Sequence, residues 1–90
     1  MKHKLDIVIV NWIDARSSDP WQSEAEAELK WKTPARVTTV GALVERTKEL
    51  VIICQSFGHG DVTAWLSIPR GWVKGVKKIG TLDLGWCRED

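Results

Sequence analysis

The stretch Asp61 to Ile68 alternates strictly: Val62, Ala64, Leu66 and Ile68 fall on one side, and Thr63, Trp65 and Ser67 on the other. Successive side chains leave a strand on opposite faces, so a period of two predicts a half-buried β-strand. Two more strand-like runs precede it, Ala35 to Val44 and Glu49 to Ser56, joined by the polar link Glu45 to Lys48. Three such runs with short polar connections predict an antiparallel sheet.

The rest of the chain extends that sheet. Leu5 to Ile13, LDIVIVNWI, is nearly continuous in apolar and β-branched character. This predicts a first strand that is central or covered on both faces. Asp19-Pro20 reads as a helix start: Asp19 can accept the free N–H groups of a first turn, and Pro20 suits a position that needs no N–H. Gln22 stands three after Asp19, the spacing of a capping box. The helix is expected over about 20–30, with Trp21, Ala25 and Leu29 as one thin stripe laid over the sheet and Glu24, Glu26 and Glu28 outward. Pro34 disfavours helical geometry at Thr33 and ends it. Gly41 inside the second run signals a bulge, a bend or a close backbone approach. Ile68-Pro69-Arg70-Gly71 reads as a turn. Val73, Val76 and Ile79 recur every third residue, which suits a helical turn feeding a short last strand; Gly80 to Asp90 is expected to be an irregular tail.

The expected fold class is therefore mainly β (α+β), as a single domain over 1–90. It is a small five-stranded antiparallel SH3-like or Sm-like barrel, or a curled sheet, with one short surface helix. Ninety residues leave no room for a second core. A chain of that length buries only ~60–65% of its extended surface, so its stability is marginal.

Six Trp stand beside one Phe and no Tyr. Each indole carries a large apolar area, and one thin core layer cannot hide all six. Some are expected at a ligand site or a subunit interface, which makes a homo-oligomer the expected state. The net charge of +1 gives no global steering toward nucleic acid. Locally, Arg70, Lys74, Lys77 and Lys78 form a segment with no acid. Cys54 sits in an apolar run and reads as a small buried hydrophobe. Cys87 lies in the polar tail, and the two make no disulfide framework. No secretory leader and no membrane span is expected; the expected location is a reducing cytoplasm.

The blocks Val10-Asn11-Trp12-Ile13-Asp14-Ala15, Thr39-Val40-Gly41-Ala42-Leu43 and Ile68-Pro69-Arg70-Gly71-Trp72-Val73 together resemble a group of small, mostly uncharacterised bacteriophage and prophage proteins. The resemblance covers most of the chain up to Ile79. It implies an accessory protein acting in the host cytoplasm, of the kind that inhibits a host defence protein or sequesters a small defence signal. The second and third runs with the Ile68-Pro69 turn are also similar in layout to Sm-like barrels, which form rings and bind RNA. The usual Sm-type signatures are missing.

The best candidate site is Arg70-Gly71-Trp72-Val73-Lys74. Arg70 offers planar donors for phosphate, Lys74 a point charge, and Trp72 a face for a base. Gly71 lets a ligand approach the backbone. The plain alternative is a solvated turn closed by Trp72. His59, between Gly58 and Gly60, is the second candidate, because imidazole titrates near neutrality; a mobile hairpin tip is its plain alternative. His3 reads as frayed surface. Asp14 and Asp19 could pair as metal ligands or acid and base, but a helix cap and a strand end account for both. No catalytic residue, metal site or cofactor is expected, since no nucleophile accompanies these groups. The expectation is a non-enzymatic binding protein for a host defence factor or a phosphorylated, nucleotide-type signal. The alternative is a nucleic-acid-binding Sm-like small barrel.

Overall fold

Strand pairing organises the chain. A computed structural model describes residues 4–15, 21–58 and 60–85. The elements are β1 (Lys4–Asp14), α1 (Glu24–Trp31), β2 (Ala35–Arg46), β3 (Leu50–Gly58), β4 (Asp61–Pro69), a 3-10 turn (Arg70–Trp72) and β5 (Val73–Asp83). All five strands form one antiparallel sheet in the order β4-β3-β2-β1-β5. The sheet does not close: β4 and β5 are its two edges. Of the two arrangements that the sequence allows, the fold takes the open one. Among the described residues, no helix is long and apolar enough to cross a membrane.

The main buried cluster lies on one face of this sheet, while Ala42 and Cys54, cross-strand partners, are buried on the other. Val8, Val10 and Trp12 alternate along β1 and are buried with Val51, Ile53 and Ile68. Cross-strand register adds Val37 opposite Trp12, Leu43 opposite Ile53 and Leu66 opposite Ile53 on its other side. Gly41 faces Val8 across β1 and β2. A Cβ at Gly41 would stand 3.3 Å from both the Cys54 carbonyl oxygen and the Ile53 Cβ. Close backbone approach is thus the role of this glycine. The bulge in β2 falls further on, where the register with β3 shifts between Leu43 and Glu45.

The alternation of β4 is realised in half of the strand. Ile68 is buried and Leu66 packs against the core, but Val62 and Ala64 are exposed. Pairing between β2 and β3 ends at Ala42 and Cys54. Beyond that point β3 and β4 run on as a two-stranded arm with no third strand beneath them. Ala64 in this arm has φ 55°, a left-handed conformation that is costly for any residue with a Cβ. Cys54, at the arm's root, is buried as expected. Its Sγ lies 3.1 Å from the Thr63 carbonyl oxygen and 3.3 Å from that of Ser56.

Three expectations are corrected. The helix starts at Glu24, not near residue 20, because Ser23 caps it: Ser23 Oγ accepts from the Glu26 N–H at 3.2 Å. Ser23 and Glu26 have the capping-box spacing, and Glu24 and Glu26 also favour the positive end of the helix dipole. Asp19 and Pro20 lie outside the described residues. Second, α1 lays no stripe on the sheet. None of its residues is buried, and Leu29 is 80% exposed. Third, the helical turn near the C-terminus is Arg70–Trp72, and Val73 onward is strand through Asp83, so 80–83 are not irregular. The spacing of three arises from a bulge. Trp12 pairs with Val73, Asn11 with Gly75 and Val10 with Val76, so Lys74 is an extra residue. An inserted residue lets Val73 and Val76 both face the core at a separation of three. Residues 86–90, including Cys87, lie outside the described residues.

Candidate functional site

The candidate site forms where the end of β1 meets the start of β5. Because Trp12 and Val73 are register partners, the residue before Val73 lands beside Trp12. Trp72 stacks on Trp12 with ring centroids 6.5 Å apart and planes 10° from parallel. Such offset aromatic pairs contribute about 0.5–1.5 kcal/mol beyond area burial. Trp12 is buried and anchored: its Nε1 donates to Thr39 Oγ1 at 3.0 Å. Trp72 remains 42% exposed. A fixed indole therefore supports an accessible one.

Trp72, Gly71 and Lys74 line a cavity of about 310 Å³ together with Ile13, Asp14 and Ala15. The bulge explains how Lys74 enters it, since the extra residue has no cross-strand partner on β1. The position that a Cβ would take on Gly71 is open space, so a ligand can approach the main chain there. Asp14 closes the strand end as expected: its Oδ1 accepts from the Ala15 N–H at 2.8 Å. Its remaining acceptor capacity can serve a ligand hydroxyl or amino group. Lys74 supplies an ammonium, a point charge suited to phosphate. The volume is at the small end of ligand pockets, which span roughly 300–1,000 Å³.

Not every residue of the basic segment joins this site. Arg70 donates from Nη1 to the Thr47 carbonyl oxygen at 3.1 Å, and its backbone N–H reaches the Glu49 carbonyl oxygen at 2.8 Å. It clamps the link between β2 and β3. Lys78 pairs with Asp6 at 3.2 Å. Lys77 lies opposite Ile9. The site thus assembles Gly71, Trp72 and Lys74 from the expected set and leaves Arg70 aside. His59 lies outside the described residues, as does His3. Ile13 and Ala15 were not expected; their signal is the non-local pairing of β1 with β5, which no local pattern carries. Among the described residues, no three His, Cys, Asp or Glu side chains gather as a metal site.

A second cavity of about 430 Å³ lies at the opposite end of β1, between Lys4–Asp6 and Leu43–Arg46. It offers no aromatic face, and its cations Lys4 and Arg46 are offset by Asp6 and Glu45. The Trp72 cavity is the better-furnished site.

The chain matches no family model, no curated protein and no solved structure. Fold and site alone define a class: a small open antiparallel sheet with an aromatic and cationic cavity at one end.

Proposed function

We propose that the protein is a non-enzymatic binding protein that captures a small phosphorylated ligand of nucleotide type in the Trp72 cavity. The observation that supports this reading is the half-exposed Trp72 indole, held on buried Trp12 and sharing a cavity with Lys74. In this reading a base stacks on Trp72, Lys74 meets the phosphate and Asp14 accepts from a sugar hydroxyl or an exocyclic amino group. The resemblance to phage accessory proteins supports the biological side: sequestration of a host signal, or inhibition of a host defence factor that handles one, in the host cytoplasm.

Titration calorimetry with a panel of mononucleotides and cyclic dinucleotides tests the reading. One panel member is expected to bind, and Trp72→Ala is expected to weaken it by roughly 1–3 kcal/mol, the usual loss for a stacked base. Lys74→Ala is expected to weaken it too, and Arg70→Ala to leave it unchanged. Silence across the panel, or binding untouched by Trp72→Ala, would overturn it. Binding of oligonucleotides with a steep salt dependence would instead mark the Sm-like, nucleic-acid alternative.

A further inference from the structure

The Trp72 cavity offers a ligand one aromatic face. One side of the Trp72 indole is turned to Trp12, with the planes 10° from parallel, so a planar group stacks on the other side. Trp12 is no second platform, since it is buried and its Nε1 is engaged by Thr39. The cavity therefore takes one base. Its volume of about 310 Å³ suits a ligand of that size better than one with two bases.

Charge is equally sparse there. Among the described residues that line the cavity, Lys74 is the one cation and Asp14 the one anion. Register sets them apart. Lys74 follows Val73, the partner of Trp12, while Asp14 lies two residues beyond Trp12 in the other direction along β1. Two residues of strand, roughly 7 Å, therefore separate them at the least. Asp14 is half-buried and Lys74 exposed. The Ala15 N–H donates to Asp14 Oδ1 at 2.8 Å, which fixes the carboxylate and leaves acceptor capacity on it. A carboxylate accepts hydrogen bonds and donates none. It favours an amino group on a ligand, opposes a carbonyl oxygen, and repels each added phosphate.

We propose that the ligand is a nucleoside monophosphate whose base carries an exocyclic amino group, and that Asp14 sets this preference. The assignment rests on the Trp72 cavity being the binding site. The base stacks on Trp72, the phosphate meets exposed Lys74 at the rim, and the base edge, the part furthest from the phosphate, reaches half-buried Asp14. Asp14 acts twice: it attracts the amino group and it repels a longer phosphate chain. Specificity built on both terms is sharper than on attraction alone.

Calorimetry on the full chain with AMP, IMP, CMP, UMP and ATP tests this. AMP or CMP is expected to bind. Its counterpart with a carbonyl in place of the amino group, IMP or UMP, is expected to bind roughly 10–100-fold more weakly, the range for a hydrogen bond to a charged group. ATP is expected to bind no more tightly than AMP. Asp14→Asn keeps an oxygen for the Ala15 N–H and adds a donor that a base carbonyl can use. It is expected to erase the preference for the amino base and to let ATP gain on AMP, with an unchanged denaturation midpoint. Equal binding of the amino and carbonyl counterparts, a tighter ATP complex in the wild type, or a preference that survives Asp14→Asn would overturn the assignment and leave the cavity as the binding site. If no nucleotide binds, or if binding ignores Trp72→Ala, the cavity itself fails as the site and the assignment with it.

Discussion

Trp12 and Trp21 are the same residue in two environments. Trp12 is buried in the β1 row, donates to Thr39 and stacks on Trp72. Trp21, ahead of α1, is wholly exposed. The difference follows from strand pairing. β1 is hydrogen-bonded on both sides, to β2 and β5, so every inward side chain meets neighbours from two strands. Among the described residues, α1 pairs with no strand, and its large apolar side chains Leu29 and Trp31 stay exposed. Burial in this chain is decided by the ladder a residue belongs to, and residue type comes second.

Truncating the two indoles gives the largest test of that contrast. Trp12→Ala is expected to cost about 3–5 kcal/mol in chemical denaturation, the usual range for a buried aromatic. Trp21→Ala is expected to stay within about 0.5 kcal/mol at concentrations where the chain is monomeric, as exposed substitutions do. Equal losses at both sites would show that α1 and the sheet fold as one cooperative core.

A second contrast lies between β2, at Gly41, and the β3–β4 arm, at Ala64. Gly41→Ala drives a methyl toward the Cys54 carbonyl and Ile53, and neither is the free end of a flexible side chain. Overpacking of this kind is expected to cost about 1–3 kcal/mol, read as a lower thermal midpoint. Ala64 has the reverse problem, a Cβ on a left-handed backbone. Ala64→Gly is expected to stabilise by about 1 kcal/mol, since it removes the steric penalty, while the entropy of the freer glycine in the unfolded chain takes part of this back. If Gly41→Ala is neutral, β3 yields where the structure places it close to β2. If Ala64→Gly destabilises, the arm takes another backbone path.

These contrasts also show why some of the fold was legible in the sequence. β1, β2 and β3 follow local runs of β-branched residues, and their bounds agree with that reading to within about two residues. The β2-β3-β4 meander followed from the short links between those runs, but that the sheet stays open did not. β5 was obscured because two bulges against β1 break its period, so the inward Val73 and Val76 mimic a helical spacing. The helix start was obscured because Asp19 with Gln22 and Ser23 with Glu26 both have the capping-box spacing, and no local rule chooses between them. At the site, Gly71, Trp72 and Lys74 stood together in the sequence and stand together in space. Ile13, Asp14 and Ala15 join them through the pairing of Trp12 with Val73, 61 positions apart in the chain, which no local pattern encodes. Arg70 is held by a contact that no local pattern shows: it bonds to the Thr47 and Glu49 carbonyl oxygens and does not line the cavity.

The smallest expected effect asks whether the exposed region is truly separate. Ser23→Ala removes the Oγ that accepts from Glu26, a change that costs a helix about 0.5–2 kcal/mol. In a monomer this loss is expected to fall on α1 alone, because none of its residues is buried. Far-ultraviolet circular dichroism would then lose a little helical signal, and the denaturation midpoint would stay put. In an assembly built on α1, the same loss must reappear as weaker association, because the helix has to be formed before it can dock. Measuring both quantities on one variant separates the cases: a midpoint that falls with Ser23→Ala at all concentrations would tie α1 to its own sheet. A midpoint that falls only at concentrations where the wild type associates would tie it to a neighbour's.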